Sequence, residues 1–221
     1  MSNINWNVTV RFDPTSLQSP AQHGIPIPSY GNYGGANFSA GVEGGITPEG
    51  PNPIPAPVDP LDNLFWAHDL VYQHVQDGLV PPVDIPNTIA QADVTLVEGM
   101  FALTPTITDS EEFLYDAVAT IGIAGKILNT PTELAYLEAH PFDAAIVLTA
   151  AQTAIQNFDL ALAENPGEAR SLNAFHGFEA RFTQLLTQAM ASFGVPGAVV
   201  NTAPQGADMS QQSLLAIPQH V

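Results

Sequence analysis

The sequence predicts a mainly α fold, with a short N-terminal strand and a long loop ahead of a helical core and extra helices at the C-terminal end. Three observations carry this. From Leu61 onward, apolar residues recur every three to four positions in one segment after another, which is the spacing of one helix face. Prolines and glycines crowd residues 13–56 and the borders between the later segments, where chains turn. Only Ile4-Asn-Trp6-Asn-Val8-Thr-Val10-Arg-Phe12 alternates apolar and polar residues without a break, the period of a half-buried strand.

In chain order, the strand is followed by a loop region running to residue 56. The first helix starts near Asp59, a cap, with Pro60 suited to the first helical position and Asp62 favouring the positive end of the helix dipole. Its stripe is Leu61, Leu64, Phe65, His68, Tyr72 and Val75. Residues 78–86 form a short connector to a second helix with the stripe Ile89, Ala92, Asp93, Leu96, Val97 and Met100. Ser110 with Glu111 and Glu112 opens a third, running to about Leu128. Pro131 with Glu133 starts a shorter piece that stops near Pro141. Val147, Leu148, Ala151, Ile155, Phe158 and Leu162 mark another helix, and Leu172, Phe175, Phe182, Leu185, Leu186, Ala189 and Phe193 the next, with Asn165-Pro166-Gly167 turning the chain between them into an antiparallel pair. Past Gly194 the composition reads as a loosely ordered tail.

Chemistry concentrates at His68-Asp69. A histidine in an apolar stripe is more often a core residue than a catalyst. The upstream run Tyr30-Gly31-Asn32-Tyr33-Gly34-Gly35-Ala36-Asn37-Phe38-Ser39-Ala40-Gly41 shifts that balance, because its glycines and asparagines let the backbone turn carbonyls inward. Such loops hold hard cations through main-chain oxygens, and a carboxylate such as Asp69 completes the shell.

Taken together, the glycine loop, then Pro57-Val58-Asp59-x-Leu61-Asp62, then His68-Asp69-x-x-Tyr72 resemble the secreted-type, calcium-dependent phospholipase A2 superfamily. The closest likeness is to compact microbial and parvovirus-capsid members that lack cysteine. Gly34 stands where the microbial loop pattern carries cysteine, and Asn37 where it carries glycine. The resemblance implies a phospholipase A2-like antiparallel helix core with a calcium loop. It also implies hydrolysis of the sn-2 ester of glycerophospholipids at a membrane or micelle surface, with Ca2+ as cofactor. In it His68 is the general base, Asp69 the side-chain calcium ligand, the carbonyls of Tyr33, Gly35 and Asn37 the loop ligands, and the Gly35 amide an oxyanion donor. The alternative is a catalytically silent phospholipase-like binding or interaction protein. An unrelated helical domain in which His68 and Asp93 form a structural pair is the third reading.

A histidine base needs an acceptor on its other ring nitrogen. Two aspartates compete. Asp93 lies on the apolar stripe of its helix, and Ala92-Asp93-x-x-Leu96 resembles the corresponding motif of the compact members. Asp116, in Tyr115-Asp116-Ala117-Val118-Ala119, resembles the helix of the animal enzymes but falls at the edge of its stripe, where it is open to solvent. The stripe favours Asp93, with Tyr72 as its hydrogen-bond partner.

Composition limits the setting. Four Lys and Arg against 22 Asp and Glu give a net charge of −18, which excludes a basic nucleic-acid footprint. Cysteine is absent, so packing must replace disulfide staples. The expected organisation is a catalytic core with strand and loop over 1–130, a helical extension packed on it over 131–194, and the tail over 195–221. There is no membrane-spanning stretch. Met1 to Asn7 lack the basic start and apolar core of a secretory signal, which leaves export by another route or a cytoplasmic location. His74 lies off the face of His68 and is expected to face solvent, His23, His140, His176 and His220 have no zinc-like spacing, and no Gly-x-Ser-x-Gly elbow is present.

Overall fold

A computed structural model of the chain describes residues 3–12, 25–165 and 169–197, so most of the expected tail, His23 and His220 lie outside the described residues. The described part is mainly helical, with two small sheets. Strand β1 (Ile4–Phe12) pairs antiparallel with β2 (Ile25–Tyr30), from Ile4 opposite Tyr30 to Phe12 opposite Ile25, with an irregularity between Asn5 and Thr9. The sequence reading assigned residues 25–30 to loop, and this is corrected. Pro26 and Pro28 share one parity along the strand, so both missing N–H groups fall on the side that donates nothing to β1, as an edge strand allows.

The loop between β2 and the first helix contains the two-residue strands β3 (Phe38–Ser39) and β4 (Val42–Glu43). Helix α1 (Pro60–Gln76) begins where Asp59 accepts from the Asp62 amide at 2.8 Å and Pro60 occupies the first turn. Helix α2 (Ile85–Leu103) follows with Pro86 in its first turn. Helix α3 (Ser110–Asn129) is capped by Asp109, one residue before the expected opening. The Asp109 carboxylate accepts from the Glu111 and Glu112 amides at 3.0 and 2.9 Å. Then come α4 (Pro131–Ala139), α5 (Pro141–Glu164) and α6 (Ala169–Phe193), the first two again with proline in the first turn.

Helix α3 forms the spine. Leu114, Val118, Ile121, Ala124 and Ile127 are buried on it, and Val147, Leu148, Ala151, Ile155 and Phe158 of α5 are buried in the same apolar cluster. Helix α1 packs on α2, α2 on α3, and α6 on α5 and α3. One apolar cluster runs from Ile4 to Met190, across the expected boundary at residue 130. With no cysteine available, cohesion rests on that burial, each fully enclosed Leu, Ile or Phe contributing about 1.5–3 kcal/mol. No helix among the described residues is long and apolar enough to cross a membrane.

Candidate functional site

A cavity of about 390 Å³ opens where the glycine loop, α1, α2 and α3 meet. Tyr33, Gly35 and Asn37 line it from the loop, His68, Asp69 and Tyr72 from α1, Asp93 from α2 and Lys126 from α3. Phe65, Leu96, Tyr115, Val118 and Ile123 give it an apolar wall. A shallower groove of about 700 Å³ between the start of α1 and the end of α2 has Asp59 as its one ionisable side chain, so reactive groups gather in the first cavity.

The loop is shaped by a buried acid. Asp62 is fully enclosed, and its carboxylate accepts from the amides of Asn32 at 3.0 Å, Tyr33 at 2.8 Å and Val58 at 2.9 Å. Gly31, at φ +56°, passes so close that a Cβ there would sit 2.4 Å from the Asp62 carboxyl carbon and displace that carboxylate from the loop amides. Asn37, where the loop pattern carries glycine, adopts φ 56°, a left-handed conformation that asparagine accepts more readily than most residues. The Gly35 carbonyl accepts from the Phe38 amide at 3.2 Å and the Asn37 carbonyl from the Gly44 amide at 2.7 Å, each keeping a second lone pair.

His68 Nε2 donates to Asp93 Oδ1 at 2.6 Å. Tyr72 donates to the same carboxylate, at 2.9 and 3.1 Å from its two oxygens, and Lys126 Nζ donates to Oδ2. Lys126 also donates to Glu133 at 2.5 Å, on α4. Asp93 is fully buried and therefore depends on these donors. Asp116 lies elsewhere. Its Oδ2 accepts from Thr104 at 2.8 Å, and at 2 % exposure it is buried, not open to solvent as its place at the stripe edge suggests. The tight packing of α3 between α2 and α5 encloses even the margins of its stripe.

On its other side, His68 Nδ1 is 3.6 Å from Asp69 Oδ1, too far for a direct hydrogen bond but close enough for the two charges to interact. Asp69 Oδ2 is buried without a hydrogen-bond partner. Asp69 and the loop residues Tyr33, Gly35 and Asn37 line the same cavity, so the free Asp69 oxygen and main-chain carbonyls are the oxygens available to a hard cation there. No cluster of three or more imidazole or acidic side chains able to hold a metal occurs among the described residues, so a cation here would rely on one carboxylate and main-chain oxygens.

Electrostatics follow from burial and charge. Enclosure pulls the His68 pKa down, but the flanking carboxylates Asp69 and Asp93 outweigh it and push the ring up to about 9. Enclosure alone would raise Asp93, yet its hydrogen bond from His68 and the charge of Lys126 hold it well below the usual carboxylate range. Asp69 is raised, chiefly by burial. Burial and the Asp93 charge push Glu133 up to about 7, against the pull of Lys126. His74, expected to face solvent, is partly exposed and lies 3.2 Å from Glu49.

Three participants escaped the sequence reading. Asp62 was credited only with a dipole effect and Glu133 only with opening a helix, and Lys126 was not singled out. One signal pointed to Lys126: it is the chain's single lysine. Comparisons of the chain with protein-family models, with curated proteins and with solved structures return no match.

Proposed function

We propose that the protein is a calcium-dependent phospholipase A2, hydrolysing the sn-2 ester of glycerophospholipids at a membrane or micelle surface. The observation that supports this best is the two-sided environment of His68. In the cavity that His68 lines, one ring nitrogen is tied to a buried aspartate and the other lies 3.6 Å from Asp69, which has an oxygen to spare. A base oriented in this way, next to a carboxylate with a spare oxygen and an apolar wall, suits water-mediated ester cleavage more than acyl-enzyme chemistry.

In this reading a water held at His68 Nδ1 gives up its proton as its oxygen attacks the ester carbonyl carbon. The Gly35 amide donates to the oxygen on which negative charge develops. Collapse breaks the bond to the glycerol oxygen, which takes the proton from the imidazolium, leaving a fatty acid and a lysophospholipid. Asp93 stays ionised throughout and fixes the tautomer. Tyr33, Gly35 and Asn37 through their carbonyls, and Asp69 through its carboxylate, would hold calcium. When bound, calcium polarises the ester carbonyl and offsets charge on its oxygen. With both flanking carboxylates ionised and Asp69 uncompensated, His68 keeps its proton at neutral pH, so the charge balance at Asp69 governs whether Nδ1 is free to accept one. The apolar wall from Phe65 to Ile123 receives the acyl chain.

The test is fatty-acid release from mixed micelles of phosphatidylcholine, with calcium and with a chelator. Release should require calcium, and His68→Ala and Asp69→Asn should each lose about 10²–10⁴-fold in kcat/KM. Release that survives chelation, or full activity in either variant, would rule the mechanism out.

A further inference from the structure

We propose that Lys126, braced by Glu133, is a positioning residue for the His68–Asp93 pair: it is the permanent cation that keeps Asp93 ionised and its Oδ1 turned towards His68. The inference deepens, and rests on, the reading of His68 as a base.

The geometry assigns this role by elimination among the donors. Asp93 has no exposure and three donors. Tyr72 is neutral, and its hydroxyl spans both oxygens at 2.9 and 3.1 Å, so it does not select one of them. His68 is neutral whenever it is ready to take a proton, and so supplies no lasting positive charge. Lys126 alone among the three is charged throughout a reaction cycle, and it engages Oδ2, leaving Oδ1 for the imidazole. A buried carboxylate without a counter-ion would pick up a proton or turn towards another donor. Either change would release the ring.

Lys126 is held in turn. Its Nζ is 2.5 Å from Glu133 Oε1 and 5.9 Å from the centroid of the Tyr72 ring, so an acid on α4 and an aromatic on α1 fix a side chain that would otherwise have many rotamers. Glu133 is itself buried, and its second oxygen has no partner, an expensive arrangement for a helix that merely packs. Charge economy points the same way. A chain with four Lys and Arg against 22 acids commits its single lysine to two buried carboxylates, one of them in the cavity wall.

The experiment uses the full chain and three variants, Lys126→Met, Lys126→Arg and Glu133→Gln. Kinetics are followed on short-chain phosphatidylcholine with saturating calcium. Ring nitrogen and proton NMR of His68 is recorded without calcium, so that one readout is independent of turnover. Lys126→Met should lower kcat about 10- to 100-fold with KM within about threefold, and its His68 ring signals should shift away from those of the parent ring, whose Nε2–H is bonded to Asp93. Lys126→Arg, which keeps the charge, should restore the ring signature and most of kcat. Parental kcat and unmoved ring signals in Lys126→Met would overturn the assignment. If that variant does not fold, Glu133→Gln decides in the same way: a shifted ring signal with reduced kcat supports the role, and parental values for both overturn it. Should the parent hydrolyse no phospholipid, the proposed function falls alone, and the ring signals still decide whether Lys126 positions His68.

Discussion

Asp116 shows how a single enclosed acid leaves a mark on the pH profile of stability. Burial raises its carboxyl to about 7, from 3.8, with the Thr104 hydrogen bond opposing. The folded chain therefore binds this proton more tightly than the unfolded chain does. Stability from this group is greatest below about pH 4, falls as pH climbs to about 7, and stays low beyond, where the fold must enclose a charge. Asp116→Asn removes the titration. Relative to the parent, the variant should gain about 1–3 kcal/mol between pH 4.5 and pH 8 in urea melts. An equal offset at both pH values would contradict this account. Asp93 behaves in the opposite sense, because its three donors favour the charged form. Two aspartates with similar sequence surroundings thus differ through their partners.

Among the elements, the glycine loop depends most on one side chain outside it. Three amides from residues 32, 33 and 58 converge on Asp62, so the loop and the start of α1 form one unit. Asp62→Ala should speed hydrogen exchange at these three amides by at least about tenfold, since a charged hydrogen bond contributes about 1.5–3 kcal/mol. Parental protection there would show that the loop holds its shape unaided. The helices were legible from periodicity because α1, α2, α3, α5 and α6 each bury one face. Asp93 was legible too, as a polar residue in an apolar stripe. Asp62, Lys126 and Glu133 were not, because each sits where a dipole-favouring charge belongs: an acid in a first turn, a base in a last turn. Position along a helix looks the same whether such a side chain meets water or a partner on another element. β2 was hidden by its prolines, which mask the alternation of Ile25 and Ile27.

At the scale of the whole molecule the net charge of −18 sets the approach to any lipid surface. If the proposed activity holds, rates on zwitterionic vesicles should exceed those on anionic vesicles at low salt and fixed free calcium. The gap should narrow as ionic strength rises and the Debye length contracts from about 30 Å at 0.01 M to about 8 Å at 0.15 M. A preference for anionic vesicles at low salt would show that a local patch, not the global field, governs encounter. The same scarcity of cations bears on how the chain meets a protease. An enzyme that cuts after lysine or arginine finds, between Arg11 and Arg170, a single candidate bond, after Lys126. That bond lies within α3, and its specificity-determining side chain is already clasped by Asp93 and Glu133. To such an enzyme this long central stretch offers nothing to grip until the structure opens, and the first internal cut would itself report that the site had come apart.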